Sequence, residues 1–207
     1  SASHKQMLLK DLTITFCRVA VWTTLARLIG LLMGYLIYRS RGLRAFTLPA
    51  VNFFRHVSPY CWLPLIIIAF GIGEWAVGIT LLVSLVFHSV IISLELFNTL
   101  PKVVMEQAKL DGAAGWRLFR EIELPLSLSG ILDIYRVLWG VGWTAIIAAE
   151  MLGVRSGMGY RLLDFRYLLR YKEMLGYIAV IGGVGIIIDL LLQKLKSRLV
   201  KLTLSFF

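Results

Sequence analysis

Five apolar runs dominate this chain, over residues 12–37, 48–72, 75–98, 126–151 and 174–192. A helix rises 1.5 Å per residue, so runs of this length match a bilayer hydrocarbon core of roughly 30 Å. That constraint outweighs every other feature. The fold class it predicts is all-α, a polytopic transmembrane helical bundle in which 1–207 form a single domain. Composition agrees, since 58% of the 207 residues are hydrophobic, only 16% are charged, and the mean hydropathy is +0.79.

The net charge of +10 could point to nucleic acid, but the Lys and Arg residues sit beside the apolar runs. Juxtamembrane anchoring explains them, with the lipid bilayer as partner and no nucleic acid. Cys17 and Cys61 lie among apolar residues without C-x-x-C spacing, so neither a metal site nor a disulfide framework is expected, and both read as small buried side chains.

Ser1 to Asp11 is polar and begins without Met, as a fragment or a trimmed product would. Arg18 and Arg27 interrupt the first run. An Arg at mid-bilayer costs on the order of 3 kcal/mol, so such residues face protein or a watery cavity, or snorkel. Gly30 and Gly34 form a small-xxx-small face suited to close helix packing. A basic loop over 38–47 carries Arg39, Arg41 and Arg44, and the second run holds Pro49, Pro59 and Pro64, which predicts a kinked or interrupted helix. Gly71-Ile72-Gly73-Glu74 reads as a tight turn. His56 and His88 are lone histidines, more often hydrogen-bonded core than proton relays. Asp133 and Arg136 stand three apart on one helical face and are expected to pair there. Glu150 closes the fourth run near the far interface.

The loop at 38–47, the polar passage around 100–125 and the tail with Lys194, Lys196, Arg198 and Lys201 are all basic. Five spans then place these three regions in the cytoplasm and the N-terminus outside. The segment 152–173 resists this pattern, because it holds Arg155, Arg161, Arg166, Arg170 and Lys172 on the outer side. Such charge there suits steering of anions inward, or equally contact with a binding protein or lipid headgroups.

The polar passage Glu106 to Pro125, EQAKLDGAAGWRLFREIELP, reads as two short helical pieces broken at Asp111-Gly112 and closed by Leu124-Pro125. Gly112 suits a conformation that a Cβ resists, and Pro125 suits the first turn of the next helix. Glu106, Ala108, Gly112, Ile122, Leu124 and Pro125 resemble in identity and spacing the EAA loop of the permease subunits of binding-protein-dependent ABC importers of type I; Gln107 stands where the family has its middle alanine. Pro59, Pro64-Leu65, Phe70 to Glu74, Arg18, Arg136, Trp143, Glu150 and Gly157-Met158-Gly159-Tyr160 are similar to the branch that imports nitrate, bicarbonate, taurine and other sulfonates. Asp133-Ile134 departs from that branch's Thr-Gly.

The resemblance implies a permease in the prokaryotic plasma membrane, moving a small anion by alternating access. Its coupling loop, 100–125, would dock on a separate ATPase through Glu106, Gln107, Ala108, Asp111, Gly112, Ala113, Leu124 and Pro125. Partners would be ATP-binding cassette subunits, a second permease copy or paralogue, and a solute-binding protein. Such permeases commonly have six spans, so one upstream span is expected to be absent from this chain. With no G-x-x-x-x-G-K-[ST] loop the chain is no enzyme and binds no cofactor or metal; ATP and Mg belong to the partner. An anionic solute needs donors and positive charge, which makes Arg18, Trp62, His88, Arg136, Trp143 and Glu150 the pathway candidates. The alternatives are an importer for a neutral vitamin precursor, an ion-coupled secondary transporter using Asp133, Glu150 and Asp189, and a membrane scaffold.

Overall fold

A computed structural model describes residues 2–204 of the chain, and these residues form helices joined by short turns. In chain order they are α1 (Ala2–Arg39), α2 (Arg41–Arg55), α3 (Pro59–Phe70), α4 (Glu74–Asn98), α5 (Lys102–Leu110), α6 (Gly115–Leu118), a π turn (Phe119–Glu123), α7 (Leu124–Gly153), α8 (Met158–Tyr167) and α9 (Tyr171–Leu204). Four helical stretches among the described residues are long and apolar enough to cross a membrane: α1, α4, the continuous stretch Gly115–Gly153, and α9.

The second run is interrupted, as its prolines predict: it divides between α2 and α3, which meet at 94°. Pro49 and Pro64 both lie inside helices, so only Pro59 marks the break. A residue before proline is pushed out of the helical region, and Ser58 accordingly sits at φ −59°, ψ 142°. The basic loop 38–47 is likewise helical. Ser40 alone separates α1 from α2, and its hydroxyl accepts from the Leu43 N–H at 3.3 Å, capping α2 and keeping Arg41 and Arg44 on a helix.

The core lies where α1, α4 and α7 cross, with Val19, Ala26, Leu81, Leu85, Leu138 and Ile146 among its buried residues. Small residues set the closeness of α1 to α4. A Cβ on Gly30 would fall 2.3 Å from Ser89 Cβ, and one on Gly34 would fall 2.9 Å from the Val90 carbonyl oxygen. Lipid offers no hydrophobic drive between helices, so this backbone-level contact and its dispersion energy hold the pair together. Around the core, α9 packs on α7 and α8; the Trp143 indole N–H donates to the Ile181 carbonyl at 3.1 Å.

Cys17 and Cys61 are exposed, not buried as the sequence suggested. Apolar neighbours in sequence identify a core only when the surroundings are water. In a bundle solvated by lipid they mark the outer face equally well.

Charged groups gather at two ends. Arg39, α5 and Lys196, which bonds Asp133 near the start of α7, share one end; Glu74, Ser156 and α8 share the other. The three basic regions that the charge argument grouped together thus meet at a single end.

Replacing Gly34 by Val is expected to destabilise the chain by about 1–3 kcal/mol through overpacking. Gly42, whose Cβ would meet nothing within 4 Å, is the control. Thermal unfolding in detergent should show a lowered midpoint for Gly34→Val and a near-parental one for Gly42→Val.

Candidate functional site

The polar passage forms a helix, a sharp turn and the start of a long rod. Along α5, Met105 and Ala108 are buried, and with Ala113, Leu118, Phe97 and Leu100 they form a small core under the segment. The spacing of three between Met105 and Ala108 puts both on one face. The opposite face looks outward and carries Glu106, Gln107 and Lys109. The chain reverses at Asp111-Gly112, where the Gly112 N–H donates to the Lys109 carbonyl and the Ala113 N–H to the Ala108 carbonyl. Gly112 has φ +82°, a value that a Cβ opposes.

The second helical piece does not end at Leu124-Pro125. It runs through the π turn into α7, giving one helix from Gly115 to Gly153. Proline's ring clashes with the carbonyl four residues back and supplies no N–H. The widened turn just before Pro125, with the Leu124 N–H donating to the Phe119 carbonyl five residues back, accommodates both defects without breaking the helix. Leu124 and Pro125 are half-buried at the base of this rod.

Large apolar side chains also project from this end: Val103 is 80% exposed, Leu110 82% and Trp116 71%. They lie among charged residues on a segment whose underside is fixed to the bundle.

Pathway candidates are not gathered in one cavity. Arg18 is buried in α1, and its guanidinium donates to both carboxylate oxygens of Glu74, to Glu150 Oε1 at 2.7 Å, and to the carbonyl and hydroxyl of Ser156 at 2.9 and 2.6 Å. Five donors meet five contacts, so none is left for a solute in this conformation. Glu150 is fully buried; it also accepts from the Thr15 hydroxyl and from the Gly159 N–H at 3.0 Å. A Cβ on Gly157 would fall 2.4 Å from Glu150 Oε1, which explains the glycine at this turn. Trp143 is buried between α7 and α9. Trp62 is half-buried on α3 with its ring 5.7 Å from that of Phe54. His88 is half-buried on α4, with Nδ1 2.8 Å from the Ser84 carbonyl oxygen.

Arg136 does not pair with Asp133 along α7. It makes a bidentate bond to Asp189 of α9 at 2.5 and 2.8 Å, while Asp133 accepts from Lys196 Nζ at 2.7 Å. Both pairs tie α7 to α9, and a cross-helix partner in bidentate register outcompetes the local spacing of three. Asp133, Glu150 and Asp189 are therefore all ion-paired. Among the described residues, no cluster of three His, Cys, Asp or Glu could hold a metal.

Two acids carry more weight in the structure than their sequence context shows. Glu74, in the Gly71–Glu74 turn, is a partner of Arg18, as a buried Arg needs an acid at its own depth. Glu123 is fully buried in the π turn, and a lone acid between the apolar Ile122 and Leu124 is its only sequence signal.

Residues 26–201 match the family described as binding-protein-dependent transport system inner membrane component. The chain belongs to that family. The chain is 30% identical over 191 residues to the taurine transport system permease protein TauC of Escherichia coli, covering 92% of this chain and 69% of TauC. It is 28% identical over 174 residues to the bicarbonate transport system permease protein CmpB of Synechococcus elongatus, covering 83% of this chain and 62% of CmpB. A relative from Methanocaldococcus jannaschii is 29% identical over 171 residues, and the chain spans 62% of that protein's length. Among solved structures, a chain of the inward-facing MetNI methionine ABC transporter superposes with a TM-score of 0.84 at 19% identity, covering 98% of this chain and 99% of that one. The fold is thus that of type I ABC importer permeases, and the family member is a multi-pass membrane protein.

Glu150→Ala would remove the buried one of Arg18's two carboxylate partners and leave the Thr15 hydroxyl and the Gly159 N–H without that acceptor. Each buried donor orphaned in this way costs about 1–3 kcal/mol. Folded yield and melting midpoint in detergent should fall sharply for Glu150→Ala and only slightly for Glu74→Gln, whose side chain is 65% exposed.

Proposed function

We propose that this chain is the membrane permease subunit of an ATP-driven importer of the inner membrane, carrying a small anion by alternating access. One observation carries the reading: the Lys102–Leu118 segment is anchored beneath by Met105, Ala108, Ala113 and Leu118, yet presents Val103, Leu110 and Trp116 to the outside. Exposed apolar groups rimmed by charge on a rigid projection mark a protein-binding surface. An ATPase subunit bound there through Glu106, Gln107, Asp111 and Gly112 supplies ATP and Mg, and the chain itself hydrolyses nothing. A second permease copy and a solute-binding protein complete the assembly.

An anionic cargo is supported by the named relatives, whose printed names concern taurine and bicarbonate. Of the pathway candidates, Arg136 is the cation best placed to meet a solute. Its side chain is 35% exposed along α7, and its bidentate bond to the Asp189 carboxylate is of the kind a sulfonate or carboxylate also makes.

Gly112→Val should remove the ATPase from the purified assembly, because φ +82° is strained for a β-branched residue. Quantitative co-purification checks this; retention at the parental ratio removes the docking role of this turn. In proteoliposomes holding the assembly and its solute-binding protein, ATPase stimulation is measured with nitrate, bicarbonate, taurine, an alkanesulfonate and a pyrimidine. Stimulation by an anion and not by the pyrimidine is the expected outcome. Arg136→Gln should abolish that stimulation and leave assembly intact.

A further inference from the structure

Glu123 stands in the π turn at the junction between the exposed coupling segment and α7. Its Oε2 accepts from the Tyr35 hydroxyl of α1 at 2.9 Å. Its Oε1 is buried without a hydrogen-bond partner among the described residues, and Arg39 Nη1, from the last residue of α1, is 3.7 Å away. That separation is a charge contact and not a hydrogen bond. Glu123 is fully buried, and the Tyr35 ring that donates to it belongs to an aromatic cluster, 4.6 Å from Phe119 and 5.1 Å from Phe97, with Phe119 5.3 Å from the exposed Trp116. In such an apolar setting a carboxylate gains strongly from each donor and suffers from each missing one. Arg39 closes the gap to Oε1 by moving about 0.8 Å, from 3.7 Å to an ordinary 2.9 Å.

The Gly115–Gly153 rod already connects the coupling segment to α7 through the backbone. Glu123 provides a second connection, sideways to α1 through Tyr35 and Arg39. We propose that Glu123, held by Tyr35 and Arg39, is the positioning residue that makes the coupling segment and the final turns of α1 move as one body when the ATPase binds and closes. It touches neither solute nor nucleotide. The inference rests on the function proposed above and adds the route by which motion at Lys102–Leu118 reaches α1.

The test places spin labels at Leu36→Cys on α1 and Lys109→Cys on α5, both exposed, in a chain with Cys17→Ser and Cys61→Ser. One labelled copy per assembly with the ATPase is held in lipid nanodiscs, and the label distance is measured nucleotide-free and with ATP plus vanadate. A control pair from Lys109 to Leu175, an exposed residue near the other end of α9, reports whether nucleotide moves the coupling segment at all.

The control pair is expected to change with nucleotide while the Leu36–Lys109 distance stays fixed. In Glu123→Gln and in Arg39→Gln that distance should become nucleotide-dependent by about 2 Å, the scale of helix shifts in switching proteins. The melting midpoint of Arg39→Gln, altered at a side chain that is 40% exposed, should stay at the parental value. A Leu36–Lys109 distance that already varies in the parent, or that stays fixed in Arg39→Gln, overturns the inference whatever the fate of Glu123→Gln. An ATPase that does not assemble with the parent chain overturns the proposed function, and this inference falls with it.

Discussion

A guanidinium buried among helices in lipid has to find its counter-charges within the protein, and Arg18 finds two. Its bonds to Glu74, Glu150 and Ser156 join α1 to the start of α4, the end of α7 and the turn before α8. Each of these groups would be costly alone in a medium that solvates no charge, and together they satisfy one another. Thr15 adds a further thread, donating to Glu150 and accepting from the Met158 N–H. The Glu150 end of the bundle is therefore pinned by a polar knot, while farther along α1 the helices are held by close packing at Gly30 and Gly34.

The opposite end is built differently. There the Lys102–Leu118 segment rests on a small core of Met105, Ala108, Ala113 and Leu118, and the buried carboxylate of Glu123 faces α1 with one oxygen lacking a hydrogen bond among the described residues. A saturated network at one end and an unsaturated one at the other assign different tolerances to movement. Stability that varies along a molecule in this way is what a transporter needs, since one region must hold while another rearranges.

Much of the architecture was legible because the runs at 75–98, 126–151 and 174–192 are apolar and continuous, and helices occupy all three. Helix ends were harder to read. Basic and polar residues continue a helix as well as they end one, so α1 reaches back to Ala2 and α2 begins immediately after Ser40. Partner choice was hidden for a different reason. Asp133 and Arg136 share a face of α7, but the geometry that offers Asp189 and Lys196 to them comes from α9, more than fifty residues away. In the Lys102–Leu118 segment the turn at Asp111-Gly112 is legible in the sequence, but anchoring residues such as Ala108 and Ala113 are not separable there from outward ones such as Glu106. Cys17 and Cys61 failed for want of knowing which apolar face meets lipid.

The unbroken helix from Gly115 to Gly153 has a mechanical meaning. Its 39 residues make a strut of about 58 Å. A strut of that length, tilted by about 5° around its crossing with the core, carries its two tips past each other by about 5 Å. A modest nudge near Trp116 is thereby felt at Glu150, where the chain enters the polar knot, without any residue between them having to unfold.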